Sequence, residues 1–272
     1  MPGWSRNYAN QQKISGHNQT YNMSMPNNNR LNNPLSVGLL LCDDVDQSAQ
    51  AQYGNYAQMF QNGVDPSKKS ISLTPIRCFE GEALPQPTEY DGYIITGSRC
   101  GAYEDLPWIG VLQAFIQESW EQKTKVVGIC FGHQLIAHSL GGKTEKAAAG
   151  WGFGIHSAKI IDRKPWMTDT DNLNRDRYNL IVIHQDQVVN VPPQFKTIAE
   201  NDFCPNSMIV ADNKMLGIQG HPEFNKAFCR ERAEFRKELL GPEVYQATLN
   251  SLAKNETHSK TVFNWVNNFL HL

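Results

Sequence analysis

Lys125-Val-Val-Gly-Ile-Cys130-Phe-Gly-His-Gln-Leu-Ile-Ala-His-Ser-Leu140-Gly-Gly142 is the stretch that decides how this chain folds. Lys125 to Cys130 is a short apolar run, as expected of a strand covered on both faces. From His133 to Leu140 the pattern turns helical, and Gly141-Gly142 stops it. Between them, Gly128-Ile129-Cys130-Phe131-Gly132 sets a cysteine on a sharp strand-to-helix turn. Glycines two residues to either side permit close approach of strand and helix. The helix directs its first free N–H groups and the positive end of its dipole at the sulfur, which favours thiolate over thiol. The amide of Phe131 is then placed to hold the oxyanion of a tetrahedral intermediate. A buried structural cysteine could occupy such a turn. The coincidence of both glycines with the strand-to-helix junction favours a nucleophile.

Working outward, the same alternation recurs on the N-terminal side. Ser36 to Cys42 is a continuous apolar run, followed by a helical stretch from about Gln47 to Gln61. Ile71 to Phe79 reads as a strand that Pro75 restricts to an edge or a bulge. Tyr93 to Thr96 is a short strand running into Gly97-Ser98, and Pro107 opens a helix to Glu121. Downstream, residues 142–216 hold short β-like runs at Gly154–Ile161, Tyr178–His184, Lys196–Glu200 and Met208–Ala211. A polar loop, Asp162 to Asp176, interrupts them, and the whole reads as a small antiparallel section. Lys214–Gln219 is a last strand. Helices are expected over Glu223–Leu240, Pro242–Ala253 and Ser259–Leu270, the last with Val262, Phe263, Trp265, Val266, Phe269 and Leu270 on one face. The fold class that follows is α/β: a mainly parallel sheet flanked by helices, with reactive loops at the strand carboxyl ends.

A thiolate that expels an amine needs a proton donor and a group to orient it. Gln219-Gly220-His221-Pro222-Glu223 supplies both. Pro222 drives His221 into extended backbone, and residues two apart on extended chain point to one side. Glu223 therefore backs the His221 ring, fixing its tautomer and stabilising the imidazolium. Alone, this segment would equally be a histidine beside a helix start with Glu223 in the first turn. Its position at a strand end, like that of Cys130, tips the reading towards catalysis.

Composition sets the bounds. The 272 residues suit one sizeable domain or two small ones. Residues 1–34 are crowded with Asn, Gln and Ser and cannot bury enough apolar surface to offset ordering entropy. They read as a disordered tail before a domain over 35–272, whose C-terminal helices occupy 241–272. The tail lacks the apolar core of a secretory signal, while its freedom from acids and its Arg6, Lys13 and Arg30 leave a transit peptide open. A net charge of −2 argues against nucleic acid or an anionic membrane as partner. No apolar run is long enough to span a bilayer. The six cysteines follow no metal-ligand or paired spacing, which suggests free thiols in a reducing, cytoplasmic setting.

Two segments, Gly-Ile-Cys130-Phe-Gly-His-Gln134 and Gly-Ile-Gln-Gly-His221-Pro-Glu223, resemble the signature of class I glutamine amidotransferases. The resemblance covers about Val37 to Leu239. It implies a flavodoxin-like sheet, a Cys-His-Glu triad of Cys130, His221 and Glu223, and hydrolysis of the glutamine side-chain amide without metal or organic cofactor. It extends to Tyr90-Asp-Gly-Tyr-Ile-Ile-Thr-Gly97-Ser98, which implies that the Gly97 amide is a second oxyanion donor beside that of Phe131. By the same resemblance, Ser98, Gln134, His184, Gln185 and Asp186 line the substrate site. The chain is most similar to free-standing members such as γ-glutamyl peptidases, which implies a small-molecule γ-glutamyl substrate. Arg99 departs from the proline that many relatives carry there, and either places a guanidinium near a substrate carboxylate or is a solvated loop residue. Trp151-Gly-Phe153 is either a pocket wall or core, and His184 either contacts substrate or packs.

Three functions remain open on the sequence. The first is direct hydrolysis of a γ-glutamyl peptide or amide through a γ-glutamyl thioester. The second is ammonia supply to a separate synthase partner, since the chain leaves no room after its helices for an ATP-using synthetase domain. The third is a non-catalytic thiol redox sensor.

Overall fold

Five strands form the parallel half of the central sheet: β1 (Leu35–Leu41), β2 (Ile71–Arg77), β3 (Gly92–Ile95), β4 (Val126–Ile129) and β11 (Met215–Ile218). The structure, a computed structural model, describes residues 33–169 and 175–272. The tail expected over 1–34 therefore falls almost wholly outside the described residues. In space the five strands run β2-β1-β3-β4-β11, the flavodoxin-like order expected. The edge position inferred from Pro75 holds, because β2 pairs with β1 alone.

The sheet does not stop at β11. It continues antiparallel through β10 (Met208–Ala211), β9 (Lys196–Glu200), β6 (Gly152–Ile160) and β7 (Arg177–His184), making nine strands. The last of these returns to the parallel half: Ile181 bridges to His221, whose N–H donates to the Ile181 carbonyl at 2.8 Å. A separate two-stranded ribbon, β5 (Lys143–Lys146) with β8 (Asp186–Asn190), was not foreseen. Its β5 sequence, Lys-Thr-Glu-Lys, buries only Thr144 and so carries no apolar signal.

Side chains alternate across the sheet, so each apolar strand feeds two cores. On one face Val37, Leu39, Ile94, Val127 and Leu216 pack with α2 (Tyr56–Val64) and α7 (Ser259–Leu270). On the other, Leu40, Tyr93, Ile95 and Val126 pack with α3 (Pro107–Glu121) and α4 (Phe131–Ser139). The apolar stripe read on the last helix is the buried face of α7, with Trp265 1% and Phe269 0% exposed. A smaller third core lies under α5 (Lys226–Phe235) and α6 (Lys237–Lys254). No helix among the described residues is long and apolar enough to cross a membrane.

Several helix boundaries differ from expectation. The stretch read as one helix over 47–61 is two, α1 (Gln47–Tyr53) and α2. Gly54 has φ 81°, which ends α1, and Asn55 restarts the chain with a capping box to Gln58. The helix expected from Glu223 begins at Lys226 instead, because Asn225 caps it by accepting from the Phe228 N–H at 2.8 Å. It also breaks at Arg236, while the expected break before Pro242 is a kink inside α6, where Gly241 takes φ 71°.

Strand β4 and helix α4 approach as closely as backbone allows. A methyl group on Gly128 would lie 2.3 Å from the Gly132 carbonyl carbon, and one on Gly132 would lie 2.4 Å from the Ile95 carbonyl oxygen. Both obstacles are backbone, which cannot swing aside. Gly128→Ala should therefore cost about 3 kcal/mol, at the upper end of overpacking penalties. Gly110, exposed on α3 with open space around it, provides the contrast. Gly110→Ala should stabilise by about 0.5–1 kcal/mol. Urea unfolding of the two variants measures both, and an unchanged midpoint for Gly128→Ala would contradict the close approach.

Candidate active site

Cys130 stands on the turn between β4 and α4 with φ 53° and ψ −101°, a conformation that costs a non-glycine residue about 1–3 kcal/mol. Two backbone bonds hold it there: its N–H donates to the Ile218 carbonyl on β11 at 2.8 Å, and its carbonyl accepts from the Gln134 N–H at 3.1 Å. The sulfur accepts from Gln219 Nε2 at 3.6 Å. The N–H groups of Phe131 and Gly97 donate to no acceptor within the described chain. Gly97 also lies against both reactive side chains, since a methyl group there would be 3.0 Å from His221 Cε1 and 3.7 Å from Cys130 Cβ.

His221 and Glu223 form the second half of the site. Nδ1 of His221 lies 2.6 Å from Glu223 Oε1, with the side chains 5% and 1% exposed. Cys130 stands beside the same ring, close enough for its sulfur to act on the titration of His221. Phe224 stacks on the imidazole at 4.2 Å and 14°, fixing its plane. Burial alone would push the His221 pKa down. The charges of Glu223 and Cys130, and the hydrogen bonds to both, outweigh burial and lift it to about 10. The other two buried histidines go the opposite way. Burial depresses His133 and His184 to about 3, so both are neutral.

A cleft of about 470 Å³ opens over the thiol, and all the expected substrate-binding residues, Ser98, Gln134, His184, Gln185 and Asp186, line it. Gln134 Nε2 donates to the Asp186 carbonyl at 2.8 Å and to Gln219 Oε1 at 3.2 Å, tying α4 to the first residue of β8 and to the segment after β11. His184 Nδ1 lies 3.0 Å from that same carbonyl. Burial raises the Asp186 carboxyl pKa, against a hydrogen bond from Tyr103, and its Oδ1 has no hydrogen-bond partner. Arg99 stays exposed, as the solvated-loop reading had it, but it also has a partner within the chain. Its Nε and Nη2 clamp Asp43 at 2.8 and 3.0 Å, joining the loops after β1 and β3. Trp151 lines the cleft and Phe153 belongs to the core, so that tripeptide divides between its two readings.

Some cleft residues had no signal in the sequence. Tyr56, Phe224, Phe228, Arg232 and Arg236 form the wall beyond His221. The spacing of Phe228, Arg232 and Arg236 along one helical face marks them as neighbours. Nothing in the sequence says that this face meets a cavity.

The family described as glutamine amidotransferase class-I matches residues 54–235 of this chain. Among curated proteins, γ-glutamyl peptidase 5 of Arabidopsis thaliana is 31% identical over 213 residues, covering 74% of this chain and 80% of that one. The glutamine-hydrolyzing GMP synthase of Clostridium novyi is 33% identical over 126 residues, covering 46% of this chain and 22% of that one. Among solved structures, a glutamine amidotransferase from Methylobacillus flagellatus superposes with a TM-score of 0.65 at 20% identity, covering 88% of this chain and 92% of that one.

Glu223 is the first of the groups that raise His221 against burial. Histidine NMR should therefore show one imidazole, missing from the His221→Asn spectrum, that titrates near 10, and Glu223→Gln should move it down by at least about one unit. The sign for stability follows. A folded pKa above the usual 6.5 adds stability that is full below that pH and is lost as pH climbs towards 10. Glu223→Gln should flatten that alkaline loss, and a titration unmoved by the substitution would refute the electrostatic account.

Proposed function

Because the chain belongs to the class I glutamine amidotransferases, we propose that it hydrolyses a γ-glutamyl amide bond through a thioester on Cys130. The observation that carries this reading is the line from the Cys130 sulfur through His221 to Glu223, ending in the 2.6 Å contact between His221 Nδ1 and Glu223 Oε1. The attacking form is a thiolate beside the protonated His221 imidazole. The sulfur attacks the δ-carbonyl carbon of the γ-glutamyl group, and the carbonyl electrons move to oxygen, where the Gly97 and Phe131 N–H groups receive them. As the tetrahedral adduct collapses, the C–N bond breaks and His221 gives its proton to the departing nitrogen. His221, now neutral, takes a proton from water, whose oxygen attacks the thioester. A second collapse expels the thiolate, releases glutamate and restores the imidazolium.

The substrate's amino-acid end is assigned to Ser98, Gln134, His184, Gln185 and Asp186. The unpartnered Oδ1 of Asp186 suits an ammonium group, which supports that assignment. Glu223 holds the imidazole in the tautomer and orientation that both proton transfers need. None of these steps calls on a metal or organic cofactor.

A second reading, glutamine hydrolysis that feeds ammonia to a separate synthase, draws support from the partial match to GMP synthase. The two separate by substrate. Turnover of glutathione or a γ-glutamyl amine by the protein alone supports direct hydrolysis. Glutamine turnover that waits for an added synthase supports the second reading. Under either, Cys130→Ala should lower kcat/KM by about 10⁴-fold or more. Quenched wild-type reactions should show by mass spectrometry one glutamyl group attached to Cys130. Hydrolysis that survives in Cys130→Ala would end the covalent mechanism, and peroxide-reactive Cys130 without any turnover would point to a redox sensor.

A further inference from the structure

The end of the cleft beyond His221 holds a charge that the hydrolytic steps do not use. A run of rings leads outward from the imidazole: Phe224 stacks on His221, and Phe228 lies 4.6 Å from Phe224. The Arg232 guanidinium then lies 5.3 Å from the centre of the Phe228 ring. Phe228, Arg232 and Arg236 recur at four-residue steps through α5 to its C-cap, so they follow one helical face.

Most of the charged groups at this end are paired directly. Asp43 is clamped by Arg99, and Asp44 pairs with Arg77 at 3.1 Å. Asp46 pairs with Arg232 at 2.6 Å, and Arg232 also meets Glu231 at 2.5 Å. Arg236 lines the same cleft and makes no direct ion pair among the described residues, though Asp46, already bonded to Arg232, acts on it from further away. Its hydrogen bond is a long one, 3.5 Å from Nη1 to the Arg232 carbonyl. Burial, with the Arg232 charge added, pushes its pKa down. An anion arriving there would relieve a cost the fold already carries. Asp43, Asp44 and Asp46, which might have suited a cationic leaving group at this end, are already paired.

We propose that Arg236 receives the terminal carboxylate of the leaving group, so that the cleft is built for γ-glutamyl peptides rather than for glutamine or γ-glutamyl amines. The inference rests on the hydrolytic reading above and names the substrate class of that site. The departing nitrogen meets His221, its side chain lies along Phe224 and Phe228, and the carboxylate meets the planar fork of Arg236, which suits two parallel hydrogen bonds.

The test compares γ-glutamyl-phenylalanyl-glycine with its C-terminal amide, which differ by one charge far from the scissile bond. The wild-type protein should favour the acid by at least about tenfold in kcat/KM, with the difference carried by KM and reduced by added salt. Arg236→Gln should bring the ratio close to one, and Arg236→Lys should keep part of it. Equal treatment of acid and amide by the wild type would overturn the inference. So would a full preference surviving in Arg236→Gln, or turnover of glutamine without turnover of either peptide. Each of those results leaves the hydrolytic reading standing. Failure of the folded protein to cleave glutamine, peptide or amide would overturn that reading, and this inference with it.

Discussion

The pairing of β4 with β11 is the constraint on which the rest of the site depends. These strands are parallel neighbours, with Gly128 opposite Gly217 and Ile129 opposite Ile218. Adjacent strands lie less than about 5 Å apart. Whatever follows their carboxyl ends must therefore emerge side by side. Cys130 follows one directly, and His221 follows the other after Gln219-Gly220. Residues far apart in sequence are thus brought side by side by backbone hydrogen bonds, before any side chain contributes. Burial of that contact strengthens it, because low polarity magnifies the attraction between sulfur, imidazole and carboxylate.

The parts of the fold visible in the sequence were those with a local cause. Helix α3 was read to the residue, Pro107 to Glu121, because proline fixes its first turn. Strands β9 and β10 were likewise read at their observed limits. The break at Gly54 escaped notice because apolar residues continue at helical spacing on both sides of it. Ribbon strand β5 escaped because pairing with β8, rather than apolar burial, holds it in place.

The two halves of the candidate site were legible for a related reason: each is a short contiguous segment at a strand end. The wall of the cleft was not. Whether an arginine is neutralised depends on what faces it across the fold, and Asp46 and Arg232 are 186 positions apart. Arg99 shows the same limit. Its alternatives were a substrate carboxylate or solvent, and it stays exposed while pairing with Asp43 from another loop of the chain itself.

The bridge from Ile181 to His221 has a consequence for how the chain matures. During synthesis the sulfur emerges well before its imidazole, and the imidazole's backbone is pinned only once β7 has joined a sheet assembled from distant segments. Topologies dominated by such non-local pairings fold slowly. The juxtaposition of Cys130, His221 and Glu223 is therefore a late product of folding, complete only when the sheet is whole.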